Sequence, residues 1–210
     1  MKRIDLSSWK RRQHYELFRR MDFPWFSLTA NLDITRYRRF IKERNLPFFL
    51  SVLHALTKTA NAIPEFRLRM RGDEVIEHDV VHPSFTLMTP SGIFVFADVA
   101  WHESLEAFVR AGLPVMEEAK NRETLNPDDE PRDDLIYVTS MPWVSFTSVT
   151  HPVSLKGGDC IPRFAIGKYF TQDEKILLPL NIQAHHALLD GEHVGRFFRR
   201  MQEAMDAPTG

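Results

Sequence analysis

The densest run of reactive side-chain types lies toward the C-terminus: Gln183-Ala184-His185-His186-Ala187-Leu188-Leu189-Asp190-Gly191-Glu192-His193. Two adjacent imidazoles and two carboxylates within eleven residues suit proton transfer. An unperturbed imidazole titrates near pH 6.5, so it is largely a neutral base at pH 7. A positioned base that takes a hydroxyl proton during nucleophilic attack is worth roughly 10²–10⁴ in rate. The run follows an apolar strand-like segment and precedes a helix, the place where α/β proteins put their sites. Neighbouring strand residues point to opposite faces, so His185 and His186 cannot share a cleft, and a shared metal ion is disfavoured. HExxH, CxxC, GxSxG and phosphate-binding glycine loops are all absent, so no metal is expected. Read without further context, the histidine pair is equally a buried structural pair with satisfied nitrogens.

The elements that must position this run alternate between two periods. Residues 13–21 read as a short helix after Ser7-Ser8, and 26–34 alternate as a half-buried strand does. Residues 35–45 read as a helix with Thr35 near its N-cap, and Pro47 opens a second helix over 48–62. Strands are predicted at 66–70, 75–78, 85–88 and 94–98, with Gly72-Asp73 and Pro90-Ser91-Gly92 as turns. A helix over 103–120 should bend or split at Pro114. Further strands are predicted at 135–139, 144–146, 164–170 and 176–184, and an amphipathic helix at 193–205. The fold class is therefore α/β, a two-layer mixed β-sheet with packed helices. Residues 121–134, rich in acids and prolines, read as a surface loop inside one domain spanning 1–210.

Lys and Arg number 27 and Asp and Glu 28, a formal net charge of −1. That balance gives no bulk reason to seek nucleic acid or an anionic membrane. Arg36, Arg38, Arg39, Lys42 and Arg44 read as a solvated helix face. Cys160 is the single cysteine and forms no internal disulfide, which fits a reducing compartment. The N-terminus carries no apolar run behind its positive charges, and no stretch is long and apolar enough to span a bilayer. The expected location is the cytoplasm.

The pattern HHxxxDG resembles the active-site motif of the CoA-dependent acyltransferases, which include chloramphenicol acetyltransferases, dihydrolipoamide acyltransferase catalytic domains and condensation domains of peptide synthetases. Other segments resemble the chloramphenicol acetyltransferase family in particular. Trp9-Lys10-Arg11-Arg12-Gln13-His14-Tyr15 is similar to its W-x-R-x-x-H segment. Phe26-Ser27-Leu28-Thr29, Leu32-Asp33-Ile34-Thr35, Pro64-Glu65-Phe66-Arg67 and Val81-His82-Pro83-Ser84-Phe85-Thr86 follow in the same order. So do Pro142-Trp143-Val144-Ser145-Phe146, Gly167-Lys168-Tyr169 and Leu178-Pro179-Leu180 before the histidines. The ordered set runs from about residue 5 to 205.

The resemblance implies a chloramphenicol-acetyltransferase-like fold and an O-acetyltransferase that uses acetyl-CoA as co-substrate. His186 would be the general base, its second nitrogen held by its own backbone carbonyl. Asp190 would form a buried, orienting ion pair with Arg11 rather than a charge relay; an ordinary surface pair is the alternative. Thr139 falls where the family has a serine that stabilises the oxyanion, although it also reads as a locally satisfied strand threonine. Trp143, Lys168 and Tyr169 suit a ligand bearing phosphates and adenine, or serve as surface and packing residues. The acceptor would be a small-molecule alcohol. Phe94 matches the family's pocket wall, whereas Phe18 replaces a tyrosine, Ala165 a threonine and Val149 a bulkier residue. Specificity follows the pocket's fit, so the acceptor is where a departure is expected. The resemblance further implies a homotrimer with active sites at subunit interfaces, His186 of one subunit facing Phe18 and Phe94 of the next. Alternative readings are a catalytically weak or non-enzymatic CoA-binding protein of this fold, or an acyltransferase with another donor or carrier.

Overall fold

The computed structural model describes residues 1–125, 132–155 and 158–209. A short strand β1 (Lys2–Arg3) leads to helix α1 (Arg12–Phe18) and the long strand β2 (Trp25–Asp33). Helices α2 (Thr35–Glu43) and α3 (Phe48–Asn61) follow, the second opened by Pro47 as expected. A 3-10 turn (Pro64–Arg67) occupies part of the segment read as one strand and hands over to β3 (Leu68–Arg71) and β4 (Glu74–Glu77). Next come β5 (His82–Met88), β6 (Phe94–Asp98), α4 (Leu105–Lys120) and β7 (Leu135–Met141). The chain closes with β8 (Arg163–Gly167), β9 (Phe170–Gln172), β10 (Lys175–His185) and α5 (Gly191–Asp206).

The main sheet has seven strands in the order β2-β10-β8-β7-β5-β6, with β9 paired to β10. It is mixed: β7 runs parallel to both β5 and β8, and the remaining pairs are antiparallel. A second sheet, β1-β4-β3, has Gly72 at the tip of its β3–β4 hairpin with φ +60°, a conformation that favours glycine. One face of the main sheet is apolar. Leu180, Ile182, Phe164, Ile166, Ile136 and Val138 are each less than a tenth exposed there. Phe164, Phe66 from the 3-10 turn and Phe197 of α5 stack with centroids 5.2–5.9 Å apart, joining sheet to helix. Helix α3 buries ten of its residues and α4 packs against it. At Gly112 a Cβ would stand 2.9 Å from Leu50 Cδ2, so a larger residue there would require the Leu50 side chain to shift. The α/β reading with packed helices is borne out.

Three local expectations fail, and of the bend or split expected at Pro114 the split does not occur. Helix α4 continues through Pro114 as one element, capped by the Ser104 hydroxyl accepting from Ala107 N at 3.3 Å. Leu105, Phe108, Val109, Gly112 and Ala119 are buried along it, and that burial outweighs a proline cost of about 3 kcal/mol. Residues 144–146 form no strand: Lys168 N donates to Val144 O (2.9 Å) and Ser145 Oγ to Lys168 O (2.6 Å), isolated bonds rather than a ladder. The strand read over 164–170 divides into β8 and β9, because Lys168 and Tyr169 turn away from the ladder between them. The strand read over 66–70 starts late, since Pro64 opens the 3-10 turn. Of the loop expected at 121–134, residues 126–131 lie outside the described residues.

On the face opposite the helices, side chains of β2 and β10 clamp the segment after β7. Ser27 Oγ donates to Val149 O (2.9 Å), and Gln183 accepts from His151 N (2.7 Å). The fully buried Arg69 donates to the carbonyls of Asp133 (2.6 Å) and Leu135, which fixes the start of β7. No helix among the described residues is long and apolar enough to cross a membrane.

Candidate active site

Strand β10 ends at His185, and a turn of three residues carries His186 to Asp190, the N-cap of α5. The two histidines diverge as their strand parity requires. His185 is 5% exposed and meets Trp25 edge-on at 5.3 Å; its Nδ1 accepts from Ala187 N at 3.3 Å. Burial pushes its pKa down to about 4, so it is neutral at pH 7. His186 is half-buried on the other side. Its ring lies parallel to Phe18 at 4.0 Å and tilted against Phe26 at 4.8 Å. Its backbone N donates to Pro24 O at 2.7 Å. Nδ1 of His186 is sealed from solvent and has no hydrogen-bond partner among the described residues.

Arg11, the residue before α1, ties the N-terminal segment to this turn. Its Nη1 pairs with Asp190 Oδ2, and its Nη2 reaches the His186 carbonyl at 3.4 Å. The side chains are 13% and 27% exposed, so the pair is partly buried. Burial works to raise the Asp190 carboxyl, but the Arg11 hydrogen bond and charge hold it below the usual range. Asp190 Oδ1 accepts from Glu192 N (3.0 Å) and His193 N (3.4 Å), completing the helix cap. Ligand atoms of Asp190, Glu192 and His193 lie within 4.8 Å of one another. Both oxygens of Asp190 are already taken, one by a guanidinium, which disfavours a cation there.

The anchored entry of α1 overturns one expectation. With Arg11 fixed at the turn, seven helical residues advance about 10 Å. That carries Phe18 onto the imidazole of its own chain. Phe18 is therefore not part of a wall supplied by another copy.

The remaining candidates fall into groups. Thr139, Ala165 and Asn181 are register partners across β7, β8 and β10. Two strand steps across and five residues along place Thr139 roughly 20 Å from His186 in the same chain. Phe94 sits on the edge strand β6, four strand steps from β10, paired with Phe96 at 5.7 Å and 47% exposed. Val149 is held over β2 by Ser27. Trp143, Lys168 and Tyr169 adjoin one another through the bonds of 144–145 to Lys168, and Trp143 is 67% exposed. Sequence reasoning missed two neighbours. Arg38 donates to the Tyr169 hydroxyl (3.3 Å) with its guanidinium over that ring, and Phe26 is a second ring against His186. Phe26 pairs opposite Ala184, two residues before His186, a register that only the folded sheet displays. A cleft of about 620 Å³ lies over Trp9, Arg11 and Asp190, and one of about 340 Å³ touches His185; His186 lines neither.

Over residues 1–202 the chain matches the family described as "Chloramphenicol acetyltransferase". It is 34% identical to the chloramphenicol acetyltransferase of Klebsiella sp over 210 residues, covering 99% of this chain and 94% of the relative. It is 31% identical to chloramphenicol acetyltransferase 2 of Haemophilus influenzae over 209 residues, 97% of this chain and 96% of the relative. A solved structure named chloramphenicol acetyltransferase superimposes with TM-score 0.85 at 23% identity, covering 97% of this chain and 100% of that one. The cubic core of the pyruvate dehydrogenase multienzyme complex shares the fold at TM-score 0.69 and 18% identity, over 87% and 81% of the two chains. Fold, motif order and full-length identity agree: the chain belongs to the chloramphenicol acetyltransferase family and is an acetyltransferase.

Proposed function

We propose that this chain moves the acetyl group of acetyl-CoA to a hydroxyl of a small-molecule acceptor, with His186 as general base. The carrying observation is the His186 ring itself, packed against Phe18 and Phe26 with no carboxylate paired to it among the described residues. Arg11 reaches the His186 carbonyl at 3.4 Å, and the sealed Nδ1, unpartnered among the described residues, is assigned the proton, its donor turning to that carbonyl as the family resemblance implies. Nε2 is then the nitrogen that takes the proton. The acceptor oxygen attacks the thioester carbon as its proton passes to Nε2. The Thr139 hydroxyl donates to the oxyanion, and collapse expels the CoA thiolate, which recovers the proton.

One chain holds half of such a centre. Thr139 and Phe94 lie too far from His186 to act on the same acetyl group, so a second copy supplies them. A cyclic homotrimer closes that head-to-tail contact. Phe18 and His186 come from one subunit, and Thr139, Phe94 and Ala165 from the next, with Val149 lining the acceptor pocket. Arg38, Lys168, Tyr169 and Trp143 offer cations and aromatic faces to the phosphates and adenine of CoA. No resident metal is required. The reading carries with it one domain over residues 1–210, a cytoplasmic setting, and neither nucleic acid nor membrane as partner. The names of the relatives make chloramphenicol the first acceptor to try, and antibiotic resistance the role it would serve. Thiol release from acetyl-CoA, measured with chloramphenicol and a panel of small alcohols and amines, tests the reading. Release that depends on no hydroxylated acceptor overturns it.

A further inference from the structure

The acetyl transfer described above leaves one buried polar residue beside the site without a task. His193, the third residue of α5, is 7% exposed. Its Nδ1 accepts from Asp190 N at 3.0 Å and stands 2.8 Å from Asp190 Oδ1. Its Nε2 faces Glu65 Oε1 at 3.4 Å, and Arg196 Nη2 holds the other Glu65 oxygen at 3.2 Å. Burial works to raise the Glu65 carboxyl, but His193 and Arg196 together hold it down at about 2, so Glu65 is a fixed anion.

We infer that His193, oriented by Glu65, is a positioning residue for the transfer: it fixes Asp190, and through Arg11 it sets the backbone carbonyl of His186. This inference rests on His186 being the base. The chain of contacts is continuous. Glu65 fixes the plane of the His193 ring. His193 holds Asp190 in either protonation state: a neutral Nδ1 accepts the Asp190 backbone N–H, and a protonated Nδ1 donates to Oδ1. Asp190 then presents Oδ2 to Arg11, and the same guanidinium reaches the His186 carbonyl. Without the His193 side chain the Asp190 N–H loses its partner, and the carboxylate is held only by Arg11 and the first backbone N–H groups of α5, a looser cap. The carbonyl that holds the His186 tautomer then loses its fixed direction. The sequence hides this role, because a capping box is normally read with Glu or Gln at that helix position.

Steady-state kinetics with acetyl-CoA and chloramphenicol, or the acceptor that the panel identifies, tests the inference. His193→Ala and His193→Phe should each lower kcat by about ten- to a hundredfold, with KM for acetyl-CoA within about twofold. His193→Asn, whose amide reaches the position of Nδ1, should restore kcat to within about threefold of the parent. If the alanine variant fails to fold, the Asn and Phe pair carries the comparison. A folded His193→Phe or His193→Ala protein with kcat within about twofold of the parent overturns the inference, as does a folded Asn variant as slow as the Phe variant. His186→Ala separates the two levels. If it stays active, the underlying reading fails; if it is inactive while His193→Phe is normal, the positioning role alone fails.

Discussion

The rings of Phe18 and His186 lie parallel at 4.0 Å within one chain. A flat apolar face this close fixes the imidazole plane without offering it a hydrogen bond. It also means that the ring stacked on the base brings no phenolic hydroxyl, and the methyl of Ala165 brings none to the Thr139 row. Each missing hydrogen bond is worth roughly 0.5–1.5 kcal/mol net. Chloramphenicol should therefore be a poor acceptor, and Phe18→Tyr combined with Ala165→Thr should raise kcat/KM for it by about five- to a hundredfold. Efficient turnover of chloramphenicol by the unmodified protein would show that the altered pocket does not set specificity.

The Arg11–Asp190 pair lends itself to a double-mutant cycle. Removing either partner strands a partly buried charge and should cost about 3 kcal/mol in urea unfolding, the low end of the buried range because Asp190 retains some exposure. The two substitutions should couple by about 1 kcal/mol or more. Additive effects would mean that the pair does not orient the turn.

Acid should weaken the fold above pH 4. Burial pushes the imidazoles of His151 and His185 down to about 4, and Arg163 also disfavours a charge on His151. In the unfolded chain both take up protons near pH 6.5, so the unfolded state binds more protons between these values. Stability should fall as pH drops from about 7 to about 4, by about 3 kcal/mol for each histidine, and then level with respect to them. His151→Asn should flatten the slope of the unfolding free energy over that range. An unchanged slope in that variant would mean that His151 is not held neutral by the fold.

Much of this arrangement was legible because it rests on strand period and order along the chain. Alternation separated His185 from His186, and the family resemblance implied the pairing of Arg11 with Asp190. What was not legible depends on long-range contact. Nothing local in Val144-Ser145-Phe146 shows that its partners are single bonds to Lys168 rather than a ladder. Nothing near Pro114 reveals that burial of Phe108 and Ala119 holds α4 together. The placement of Phe18 on its own chain's imidazole followed from the anchoring of α1, which only the folded chain displays. The link from Glu65 through His193 to Asp190 joins residues more than a hundred positions apart.

A shared centre predicts complementation. The protein should sediment near three times 24.5 kDa. Chains carrying His186→Ala and chains carrying Phe94→Arg should each be inactive. Unfolded together and refolded in equal amounts, they should regain about a quarter of the parental activity, since random cyclic trimers pair two intact halves at one interface in four. No recovery from mixed trimers, or a fully active monomer, would contradict a centre built from two copies.

The most direct test measures thiol release from acetyl-CoA by the parent, His186→Ala and His185→Ala proteins, with folding checked by thermal melts. The His186 variant should keep its fold and lose at least about 10³ in kcat, the His185 variant should lose mainly thermal stability, and the parent should release thiol only with a hydroxylated acceptor. A His186→Ala protein that turns over at a rate comparable to the parent would contradict His186 as the base.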